Sequence, residues 1–161
     1  KGMLDSNTKN LINFLEKIHH QSEFLDIAKS NKKAFCYLED YLIIRLSPWK
    51  QWTPVEKLIN EWINANNTID KILDSRISHP DLSLSNMIFS NNKTYIIDNE
   101  LLGVSKGWLL DERNSFFRNK VSTKISDENI KNFYNLSWKL RLVGSALDSG
   151  DFARAERMAN K

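Results

Sequence analysis

One short β-hairpin signature interrupts a chain otherwise patterned for helices, and it decides what such a chain can fold into. Met87-Ile88-Phe89-Ser90 and Thr94-Tyr95-Ile96-Ile97 are β-branched and aromatic runs, and Asn91-Asn92-Lys93 between them has turn composition. The pair therefore reads as a hairpin. Elsewhere the apolar spacing is helical. Leu11, Ile12, Phe14, Leu15 and Ile18 make one stripe over 6–21, capped by Asp5 or Ser6, and a short helix is read over 23–30. The apolar-dense stretch 34–46 predicts a central helix buried on much of its circumference. Thr53 caps and Pro54 opens a helix facing inward through Val55, Leu58, Ile59, Trp62 and Ile63. The asparagines of 64–67 break it, and Thr68 caps another as far as about Ser75. A helix is expected over 108–118. Ser126 caps a longer one that buries Phe133, Leu136, Trp138, Leu140, Leu142 and Val143, and Ser149-Gly150 separates a last short helix at 151–160. The expected fold is mainly α with a small β-hairpin, in a single domain over 1–161.

The hairpin is preceded by His79-Pro80-Asp81-Leu82-Ser83-Leu84-Ser85-Asn86 and followed at once by Asp98. The pattern H-x-D-x-x-x-x-N is the arrangement of a kinase catalytic loop, whose Asp accepts a hydroxyl proton and whose Asn holds a metal ion. A second metal-binding Asp belongs a short hairpin away, where Asp98 stands. At these residues the chain resembles the aminoglycoside phosphotransferase and choline kinase group of small-molecule kinases, which share the protein-kinase-like fold. Residues 11–19, ending in Ile18-His19, look like the first helix of that group's larger lobe, and 138–158 like its closing helices. Pro80 stands where these kinases usually have Gly, Ser83-Leu84-Ser85 where His-Pro-Gly is common, and Asn99 where Trp is common.

The resemblance implies the larger, C-terminal lobe of a kinase-like α+β fold, with a catalytic loop at 79–86. It implies Asp81 as the catalytic base, Asn86 and Asp98 as ligands of Mg²⁺, and ATP as phosphoryl donor. The implied acceptor is a small-molecule hydroxyl of sugar, aminoglycoside or amino-alcohol type, and the implied role of His79 is to brace the loop by hydrogen bonding. Glu100 could join the metal shell, contact substrate or simply be solvated. No G-x-G-x-x-G or G-x-x-x-x-G-K-[ST] occurs among the five glycines. The smaller N-terminal lobe with its nucleotide-covering loop is therefore expected to be absent from this chain, whose Lys-Gly-Met start fits a fragment, a processed product or an expression scar. Alone, such a lobe is expected to be inactive. The alternative class is a non-catalytic kinase-like binding module, which usually lacks one of the three residues at 81, 86 and 98.

Composition excludes other classes. With 23 basic and 20 acidic residues the net charge is only +3, too balanced for a nucleic-acid binder. No apolar run approaches the ~20 residues of a membrane span and no signal peptide is read, so a cytoplasmic location is expected. The single cysteine, Cys36, cannot form an internal disulfide and reads as a buried thiol. His19 and His20 read as polar helix-end residues, Trp49 and Trp52 as packing residues, and Arg113, Arg118, Lys120 and Lys124 as a solvent-facing basic run.

Overall fold

The computed structural model describes residues 26, 36–78, 86–91, 93–97, 103–106 and 126–160. Most of the described residues are helical, with short strands between the helices. The expected helices over 6–21, most of 23–30 and 108–118 lie outside the described residues. The chain divides into two compact units, one drawn from Lys1–Leu38 and Ser75–Trp108 and the other from Glu39–Asp74 and Leu109–Lys161.

In the first unit, β1 (Cys36–Tyr37), β2 (Arg76–Ser78) and β5 (Gly103–Ser105) form a three-stranded sheet in the order β1-β5-β2. β5 runs parallel to β1 and antiparallel to β2, with Val104 opposite both Tyr37 and Ile77. The hairpin of β3 (Met87–Ser90) and β4 (Lys93–Ile96) forms the other sheet. The small antiparallel hairpin is thus as expected, whereas β1 falls within a stretch read as helix, and β2 and β5 fall where no strand was expected. Such short strands carry no periodicity of their own, and pairing with a distant segment defines them.

The second unit is helical. α1 (Leu38–Leu46) begins four residues later than the sequence pattern suggests, because Cys36 and Tyr37 are spent on β1. It buries Leu42 and Leu46 but leaves Ile44 69% exposed, so it is not the central helix. A 3-10 turn, Ser47–Trp49, leads to α2 (Thr53–Ile69), whose extended N-cap is Trp52 rather than Thr53. α2 runs straight through the asparagines of 64–67. Asn costs only about half a kcal/mol against Ala in a helix, and burial of Ala65 and Ile69 outweighs that penalty. The Thr68 hydroxyl, expected to cap a new helix, instead donates back to the Asn64 carbonyl at 2.9 Å. Buried Val55, Leu58, Trp62, Ala65 and Ile69 repeat at alternating steps of three and four, one stripe of a single helix.

α3 (Glu128–Asp148) is the central helix. Asp127, not Ser126, caps it, its carboxylate accepting from the amides of Asn129 at 2.8 Å and Ile130 at 3.3 Å. That satisfies two of the donors left orphaned at a helix start. Phe133, Leu136, Trp138, Leu140 and Val143 are buried as expected, while Leu142 is half-buried. Gly144 is also buried, and a Cβ there would stand 3.1 Å from Cδ and Nε of Arg45. Its absence lets Arg45 lie across α3, where Nε donates to Asp148 Oδ2 at 2.8 Å and the guanidinium sits over the Tyr41 ring at 5.7 Å. Gly150, at φ +73°, reverses the chain into α4 (Phe152–Ala159), capped by Asp151 through the Arg154 amide at 3.0 Å. α3 packs against α2 and α4. Trp49 and Trp52 meet Phe152 edge-on, at 5.2 and 6.4 Å between ring centres. Their aromatic surface is therefore engaged within the fold.

Candidate functional site

The hairpin supplies the frame of the candidate site. Ser90 pairs with Lys93 and Met87 with Ile96, so β3 and β4 are joined by a tight turn. Asn91 takes φ +49°, the left-handed conformation that such turns require and that Asn tolerates better than most residues. Below the last paired strand residues the ladder continues by one bond, the Ile97 amide donating to the Asn86 carbonyl at 2.9 Å. Asn86 and Ile97 therefore stand opposite each other at the open end of the hairpin. Asn91→Val is expected to speed amide exchange at Ile97, since a β-branched residue resists positive φ, whereas Asn91→Gly leaves that exchange nearly unchanged. Hydrogen exchange resolved by residue checks it.

The two faces of the hairpin differ. Strand alternation puts Met87, Phe89, Thr94 and Ile96 on one face and Ile88, Ser90, Lys93 and Tyr95 on the other. On the first, Met87 is buried and Thr94 and Ile96 are half-buried, while Phe89 is 41% exposed. On the second, Ile88 and Tyr95, directly paired, are each 50% exposed, and Ile97 beyond them is 40% exposed. Sequence reading took these apolar residues only as strand formers. Their exposure next to Asn86 is a feature that the hairpin register reveals, and the continuous apolar run Met87-Ile88-Phe89 gave no sequence signal for it.

Of the sequence-derived site residues, Asn86 is described: it is half-buried and sits one residue before β3. His79, Asp81, Asp98 and Glu100 lie outside the described residues, as do His19, His20 and the basic run at Arg113, Arg118, Lys120 and Lys124. The described frame reaches their neighbours, because β2 ends at Ser78 and the hairpin's hydrogen bonding extends to Ile97. Cys36 lies in β1. Among the described residues no group of three or more His, Cys, Asp or Glu could hold a metal ion, and no helix is long and apolar enough to cross a membrane. No family model matches the chain, and no curated protein or solved structure does.

Proposed function

We propose that the chain is the larger lobe of an ATP-dependent phosphotransferase that acts on a hydroxyl of a small molecule, a sugar, aminoglycoside or amino-alcohol. The observation that carries this reading is the Ile97-to-Asn86 hydrogen bond that closes the hairpin. A hydrogen-bonded antiparallel pair holds its Cα atoms about 5.5 Å apart, and the peptide bond to Asp98 adds about 3.8 Å. A residue one peptide bond beyond such a pair lies within about 9 Å of the facing residue, a span that two short side chains can bridge to one cation, and Asp98 is next in sequence after Ile97. Strict alternation would turn the two side chains to opposite faces. Convergence therefore needs the backbone to leave the ladder beyond Ile97, whose amide still bonds the Asn86 carbonyl.

The donor set fits magnesium, because a carboxylate and a carboxamide offer only oxygen, which Mg²⁺ prefers. When bound, that ion would screen the phosphate oxygens. Asp81 would orient the acceptor hydroxyl and take its proton, and His79 would brace the loop. Glu100 stands near enough in sequence to join the metal shell or meet the substrate. The exposed Ile88, Tyr95 and Ile97 beside Asn86 suit the flat base of a nucleotide. Tyr95→Glu is accordingly expected to weaken nucleotide binding at least tenfold while leaving the acceptor KM unchanged. Equal nucleotide affinity in calorimetry would remove the base from that face.

Phosphoryl transfer to a panel of sugars, aminoglycosides and amino-alcohols tests the reading. The chain joined to or mixed with an N-terminal nucleotide-binding lobe should form product, and the isolated chain should form little or none. Positioning supplies most of the catalysis in such reactions, and a covering loop with its Lys is part of that positioning. Robust turnover by the isolated chain would show that the nucleotide binds elsewhere. No turnover with the second lobe restored would favour the non-catalytic binding module.

A further inference from the structure

We draw no further inference here: the strongest candidate, the cleft of about 350 Å³ between α2 and α3 walled by Glu61, Asn64, Thr68, Asn129 and Asn132, carries nothing, because those side chains are exposed to solvent, asparagine is at least as frequent elsewhere on the two helices at Asn60, Asn66, Asn67 and Asn135, and nothing in the structure shows what would occupy it.

Discussion

If the proposed phosphotransferase reading holds, Asp81→Asn is expected to lower the rate of phosphoryl transfer by about 10²- to 10⁴-fold, the usual contribution of a positioned general base, while nucleotide affinity stays within a factor of about two. The substitution exchanges one oxygen for an amide nitrogen at nearly constant volume, so it removes proton acceptance and spares packing. The loss corresponds to about 3–5 kcal/mol of barrier. Because proton acceptance matters in the chemical step and little in substrate binding, the change should fall on kcat with KM for the acceptor nearly unmoved. The assay is steady-state kinetics on the chain joined to an N-terminal nucleotide-binding lobe, with nucleotide affinity measured separately. A fall of less than tenfold would remove Asp81 from the chemistry and leave it as a residue that shapes the loop.

Trp62→Ala is expected to destabilise the helical unit by about 3–5 kcal/mol, a large part of the 5–15 kcal/mol that holds a typical domain together. Trp62 is 3% exposed, lies against Phe133 with ring centres 5.9 Å apart, and donates its indole N–H to the Ser137 hydroxyl at 2.7 Å. Truncation removes the ring and leaves the fully buried Ser137 oxygen without that donor. Trp62→Phe separates the two effects. It keeps most of the apolar surface but forfeits the hydrogen bond, at about 1–3 kcal/mol, and pairing it with Ser137→Ala should recover part of that cost. With a urea dependence of about 1–3 kcal/mol per molar, the Trp62→Ala midpoint should fall by more than about 1 M. A loss under about 1 kcal/mol would mean that α2 and α3 are held together elsewhere.

What could be read from the sequence follows from how local each signal is. The hairpin was legible because two apolar runs and an Asn-rich turn lie within about a dozen residues, and α3 because its inward positions repeat at helical spacing. α4 was bounded to within a residue by Gly150 and Asp151, which act through their immediate neighbours. The three-stranded sheet was not legible. Cys36-Tyr37 sits inside an apolar run that suits a helix, and only its pairing with Gly103-Val104 makes it a strand. The break expected at 64–67 failed for a related reason. Asn has a modest intrinsic helix penalty, and the burial of Ala65 and Ile69 that overrides it depends on other helices. Capping was missed by one residue at both Thr53 and Ser126, within the ordinary ambiguity of helix ends.

The candidate site is legible in a different sense. Residue types and spacing define the pattern at 79–86 and 98, and the described geometry contributes the pairing of Asn86 with Ile97. The exposed apolar face of Ile88, Tyr95 and Ile97 was hidden because a strand-forming residue looks the same in sequence whether its face is covered or open. Its recognition needs the register of the hairpin and the exposure of each strand residue.

The most direct measurement of the central claim is Mg²⁺-dependent nucleotide binding by the chain joined to an N-terminal nucleotide-binding lobe and by its Asn86→Ala, Asp98→Ala and double variants. Two ligands of one ion act as a unit, so each single substitution should cost at least tenfold in affinity at fixed Mg²⁺. The double variant should cost clearly less than the product of the two, because the ion is already lost. In the absence of Mg²⁺ all four proteins should bind nucleotide with similar, weak affinity. Nucleotide affinity that ignores Mg²⁺, or that is untouched by both substitutions, would contradict a metal site shared by Asn86 and Asp98 and with it the phosphotransferase reading.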